Sequence, residues 1–133
     1  YDIPLRLVGS EMCIRDSLGL MPPEPVQHAM AVALGDDEHV AAQKELYRGR
    51  RDILRPALEA AGFRIDGSEA GLYLWATEGQ DAWTSIERLA DLGILAGPGP
   101  FYGAFSNEHV RLALTAPSER IAEGARRLRE QAV

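Results

Sequence analysis

The run His109-Val110-Arg111-Leu112-Ala113-Leu114-Thr115 sets one arginine inside an apolar alternation, directly after a loop rich in glycine and proline. Successive side chains of a strand leave opposite faces, so Val110, Leu112 and Leu114 share one face and Arg111, Ala113 and Thr115 the other. Arg111 then projects from a packed sheet beside small neighbours. A planar guanidinium donates two parallel hydrogen bonds to a carboxylate and fixes its orientation as well as its charge, which a lysine does not do. The same spacing also describes an edge-strand arginine in water, since most arginines are exposed.

Other chemistry finds less support. His28, His39 and His109 fall on three separate elements without a His-x-x-x-His or cysteine-containing ligand set, so surface or capping roles suit them better than metal ligation. Asp36, Asp37 and Glu38 read as acids at the positive end of a helix rather than a cation site. The loop Gly97 to Gly103 lacks the Gly-Lys-Ser/Thr ending of a phosphate loop. Its glycines and prolines either bring Phe101 and Tyr102 beside a ligand or simply connect two strands. The serines show no nucleophile-elbow context.

The elements that must position Arg111 follow from periodicity and punctuation. PPEPVQHAMAVAL (22–34) opens with prolines suited to a helix entrance and repeats Val26, Met30 and Leu34 on one face. A second helix runs to about Ala61 with Val40, Tyr47, Leu54, Leu58 and Ala61 on its apolar face, bent at Pro56 and stopped by Gly62. Strands are expected at Phe63–Ile65, at Gly71–Ala76 as a central strand apolar on both faces, at Ile94–Ala96, and at the Arg111 segment. Helices are expected over Asp81–Leu92 and from Ser118 onward, the last burying Ile121, Ala125, Leu128 and Ala132. This order predicts an α+β fold, a small sheet with helices packed on one face.

Composition allows one globular domain: 133 residues, 46% hydrophobic and 26% charged. A formal net charge of -6 and scattered arginines argue against nucleic acid as a partner. No apolar run approaches the roughly 20 residues that cross a bilayer, and the single cysteine, Cys13, permits no internal disulfide. A cytoplasmic setting is the expectation. Residues 1–17 show no periodicity, and LRLVGSEMCIRDS resembles a translated sequencing adapter. They are expected to form a non-native or disordered leader, with the domain occupying 18–133.

Taken in order and spacing, LGLMPPEPVQHAMAVALGDD, SEAGLYLWAT, GILAGPGPFYG, HVRLALTA and SERIAEGARRL resemble the C-terminal small domain of class I/II, fold type I pyridoxal-phosphate aminotransferases. The likeness runs from about Leu18 to Arg129 and is nearest the actinobacterial-type succinyldiaminopimelate transaminases. It implies that Arg111 binds the α-carboxylate of amino-acid and keto-acid substrates. It also implies that Phe101, in the loop similar to the family's Pro-Gly-x-x-Phe pattern, lines the substrate pocket. The cofactor-holding groups and the Schiff-base lysine would belong to a large domain upstream of Leu18. The only lysine, Lys44, sits in Gln-Lys-Glu-Leu and reads as a solvated helix residue. The resemblance thus implies a fragment inactive alone, and an intact parent that is a homodimer. A free-standing amino-acid-binding module is the alternative, since fold alone permits it.

Overall fold

A computed structural model of the chain describes Gly19 and residues 22–131. Residues 1–17, with Cys13 and the boundary near Ser17, lie outside the described residues, as does Ala132. The chain divides into two compact units, Tyr1–Val40 and Ala41–Val133.

In the first unit, helix α1 (Glu24–Leu34) starts at Pro23 with Pro25 in its first turn, where a missing N–H is harmless. Its expected apolar face is not buried. Val26, Met30 and Leu34 are all exposed, and no residue of the helix is buried. The periodicity predicted the helix correctly but not a partner for it. Helix α2 (Asp37–Ala60) begins in this unit and continues into the second. Asp36 caps it, its Oδ1 accepting from the Glu38 and His39 amides at 3.0 and 3.4 Å.

In the second unit, α2 passes Pro56 and ends where Gly62 takes φ 96°, letting the Phe63 amide donate back to the Leu58 carbonyl at 3.0 Å. Four antiparallel strands follow: β1 (Arg64–Ile65), β2 (Tyr73–Thr77), β3 (Gly97–Pro98) and β4 (His109–Ala113), in spatial order β1-β2-β4-β3. Helix α3 (Ala82–Asp91) joins β2 to β3 and is capped by Asp81, which accepts from the Trp83 amide. Helix α4 (Ser118–Gln131) closes the described chain.

Alternation divides the sheet as expected. Leu74 and Ala76 of β2 and Val110 and Leu112 of β4 are buried, and Leu114 continues the same face. They form one core with Leu54, Ala57 and Leu58 of α2, Ala82 and Leu89 of α3, and Ile121, Ala125 and Leu128 of α4. Helices α2, α3 and α4 therefore cover one face of the sheet, and the odd-numbered residues of β2 and β4 stand on the other.

Two expectations need correction here. Val40 is exposed, so the buried stripe of α2 begins only with half-buried Tyr47. The third strand is Gly97–Pro98, not Ile94–Ala96. Gly93 takes φ 69°, and the Ile94 amide donates to Leu89 O at 2.8 Å to close α3, so the helix end consumes the residues whose composition looked strand-like.

Candidate functional site

The register sets Trp75 opposite Arg111, Tyr73 opposite Ala113 and Thr77 opposite His109. Tyr73, Trp75, Thr77, His109 and Arg111 therefore line one face of two adjacent strands, backed by a core that fixes the backbone beneath them. On the other flank of β4, Gly97 pairs with Arg111 and Pro98 with Val110. The chain then winds into a 3₁₀ turn over Gly99–Tyr102. Gly99 must be glycine for this path, because a Cβ there would fall onto the Ser106 and His109 carbonyls.

That turn folds Tyr102 back over the sheet. The Arg111 guanidinium carbon lies 4.2 Å from the centre of the Tyr73 ring and 4.7 Å from that of Tyr102. Each face-on contact contributes about 0.5–2 kcal/mol depending on how far water is excluded. Trp75 meets Tyr102 edge-on at 5.8 Å and stacks on His109 at 5.2 Å with an interplanar angle of 9°.

Arg111 is half-buried, and its Nε is buried without a partner. Among the described residues no protein oxygen receives a hydrogen bond from it. Every other described arginine except exposed Arg120 donates to a protein oxygen. Arg64 holds Asp66 through two bonds of 2.9 Å, Arg88 pairs with Glu78, and Arg126 and Arg127 share Glu123. A guanidinium mounted on a rigid sheet, flanked by two rings and lacking an internal anion is arranged to accept an external one.

Phe101 is not brought to Arg111. It is exposed and meets Trp83 edge-on at 5.8 Å, forming a separate aromatic pair. Of the two loop aromatics that the sequence offered as ligand neighbours, it is Tyr102 and not Phe101 that reaches Arg111. Counting Pro-Gly-x-x-Phe from Pro98 and Gly99 places the aromatic position at 102, so the signal was present in the spacing. Tyr73 and Trp75 were read only as strand formers. The alternation that set Arg111 on the odd face of β4 holds equally for β2, and antiparallel pairing brings the two together. Among the described residues no group of three or more histidines, cysteines or acids is placed to hold a metal ion. His28 and His39 stand on α1 and α2, and only His109 joins the Arg111 face.

Comparison with known proteins agrees with this architecture. The family model described as aminotransferase class I and II matches residues 6–128. The 4-dedimethylamino-4-oxo-anhydrotetracycline transaminase OxyQ of Streptomyces rimosus is 52% identical over 122 residues, covering 92% of this chain and 34% of that protein. A probable aminotransferase of Mycobacterium tuberculosis is 50% identical over 124 residues, covering 93% of this chain and 30% of that protein. Among solved structures, a probable N-succinyldiaminopimelate aminotransferase from Thermus thermophilus matches with a TM-score of 0.62 and 32% identity, over 74% of this chain and 27% of that one. The chain spans about a third of the length of the curated relatives it matches. With a four-stranded antiparallel sheet, helices on one face and this match along nearly its whole length, the chain belongs to the class I and II aminotransferase family.

Proposed function

We propose that this chain is the portion of a pyridoxal-phosphate-dependent aminotransferase that grips the substrate carboxylate, with Arg111 as the clamp. The observation that carries this reading is the half-buried guanidinium packed against Tyr73 and Tyr102, which has no acceptor among the described residues. An amino acid and its keto acid share the carboxylate, so one clamp serves both halves of a transamination. Its two parallel hydrogen bonds fix the direction in which the rest of the substrate extends. Tyr73 and Tyr102, each packed against the guanidinium, shield it in part from water, which strengthens its hold on an anion. Phe101, exposed and paired with Trp83 apart from the Arg111 cluster, we place at the outer rim of the substrate pocket of the parent enzyme.

Pyridoxal phosphate supplies the electron sink for such a reaction. The described residues do not fit it by themselves. The one lysine of the sequence, Lys44, is a solvent-exposed residue of α2 and no member of the Arg111 cluster. We assign cofactor binding to a large domain of the parent enzyme, which we take to be a cytoplasmic homodimer, and expect this chain alone to be inactive. The likeness to the probable N-succinyldiaminopimelate aminotransferase of Thermus thermophilus supports a substrate of that kind, and we take glutamate to be the amino donor.

The test is Arg111→Ala in the aminotransferase that carries this chain. A loss of about 2–5 kcal/mol in kcat/KM for donor and acceptor alike is expected, the scale for removing one partner of a desolvated charge pair. An unchanged kcat/KM would refute the clamp.

A further inference from the structure

Two residues before Arg111, on the same face of β4, stands His109. It is largely buried, with 19% of its side chain exposed. Its Nε2 lies 3.0 Å from Asp66 Oδ2, and because an ionised carboxylate only accepts, Nε2 carries the proton and donates. Asp66 is ionised for a local reason. The Arg64 guanidinium first, and His109 second, hold its carboxyl well below the usual carboxylate range. Nδ1 of His109 is buried and has no partner among the described residues, so Asp66 is the ring's one polar anchor there.

That anchor is fixed to the sheet. The Asp66 amide donates to Trp75 O at 2.9 Å, while Ser68 Oγ donates to Asp66 O and accepts from the Trp75 amide, each at 2.9 Å. The same strand residue, Trp75, stacks its indole on the imidazole and meets the Tyr102 ring at 82°. Asp66, His109, Trp75, Tyr102 and Arg111 thus form one continuous chain of contacts. Its first member is a held anion and its last an unpartnered guanidinium. An anchored ring stacked on one face restricts how the indole can turn, and Tyr102 packs against the indole so held.

We propose that His109 is a positioning residue for the Arg111 site: anchored by Asp66, it fixes the Trp75 indole, which seats Tyr102 over the guanidinium. His109 sets how tightly the clamp holds a carboxylate without touching it. This inference rests on the carboxylate-clamp reading above and adds to it a residue outside the clamp itself.

The experiment compares His109→Phe, His109→Ala and Arg111→Ala in the aminotransferase that carries this chain. It reads KM and kcat for the keto acid, the near-ultraviolet circular dichroism of the tryptophans, the ring-proton shifts of Tyr102 and the melting temperature. His109→Phe keeps a stacked ring but loses the anchor. His109→Ala loses both. KM is expected to rise about threefold in the first and about tenfold in the second, with kcat changing less than twofold and the tryptophan and Tyr102 signals shifted, as a loosened clamp requires. A fall in kcat and melting temperature at unchanged KM is what a merely structural histidine gives, and it overturns the proposal. Wild-type KM and wild-type ring signals in both His109 variants, while Arg111→Ala raises KM, overturn it too and leave the clamp standing. If Arg111→Ala itself leaves KM unchanged, the clamp reading fails. Shifted Tyr102 signals in the His109 variants then still support the relay of contacts, and unshifted ones overturn it.

Discussion

Gly97 pairs with Arg111 across β3 and β4, and the side chain it lacks is the space into which Tyr102 folds. A Cβ built on Gly97 stands 3.0 Å from the Tyr102 hydroxyl and 3.6 Å from the nearest ring carbon. Gly97→Ala is therefore expected to push the Tyr102 ring off the guanidinium. In a well-packed core overpacking costs about 1–3 kcal/mol, but the atom met here is the free end of a side chain that can move. Because Tyr102 is half exposed, it escapes into solvent and the effect falls on ligand affinity more than on stability. Parallel measurement of KM and thermal unfolding separates the two, and a variant with normal KM shows that the ring is not needed there.

The two tyrosines act on Arg111 through their ring faces. Tyr102→Phe keeps the ring and is expected to bind substrate like the parent, whereas Tyr73→Ala removes a face and weakens binding by about 0.5–2 kcal/mol. Arg111→Lys keeps the charge but loses the parallel pair of donors, and recovers only part of what Arg111→Ala loses. Steady-state kinetics on the three variants rank these effects. A Tyr102→Phe defect as large as that of Tyr73→Ala would show that the hydroxyl, rather than the ring, is what counts.

Leu58 is fully buried where α2 meets the sheet, while Leu95 is 97% exposed beside β3. Leu58→Ala opens a cavity and is expected to destabilise the fold by about 2–5 kcal/mol. Leu95→Ala is expected to change stability by less than about 0.5 kcal/mol. Urea unfolding of both variants checks the placement of the core, and equal midpoints would contradict it.

Acid should weaken α4 in a defined window. Arg126 first, then Arg127, hold the Glu123 carboxyl down at about 2, below its ordinary value of 4.5. A carboxyl whose pKa is depressed in the folded state adds stability that is present above the unfolded value and is lost as pH falls through the folded one. This contribution is therefore complete above about pH 5 and fades between about 4.5 and 2. The pairs are partly exposed and screened, so added salt flattens the slope. Unfolding measured at pH 7, 4 and 2.5 in Glu123→Gln should lose that part of the acid dependence.

Sheet, helices and the Arg111 face were legible in the sequence because alternation and helical periodicity are local records of burial. Leu74, Ala76, Val110 and Leu112 face the core for the same reason that Arg111 does not. What local pattern does not hold is pairing. Nothing between residues 64 and 111 announces that Asp66, Trp75 and His109 meet, because strand order and a back-folded turn create that contact. The short third strand was misplaced for a related reason. Ile94, Leu95 and Ala96 have strand-like composition, but the amide of Ile94 was already claimed by the end of α3. For α1, periodicity described a face without revealing what covers it.

The strict division of β2 and β4 into a core face and an open face also bears on how such a protein diversifies. Positions 73, 75, 109 and 111 share the same backbone segments as 74, 76, 110 and 112, yet the two sets answer to different constraints. On the carboxylate-clamp proposal, substitutions at 73, 75 and 109 around Arg111 alter which acids are accepted, while the second set keeps the scaffold intact. On that proposal, a lineage explores new substrates by single steps along two five-residue strands without passing through an unfolded intermediate genotype.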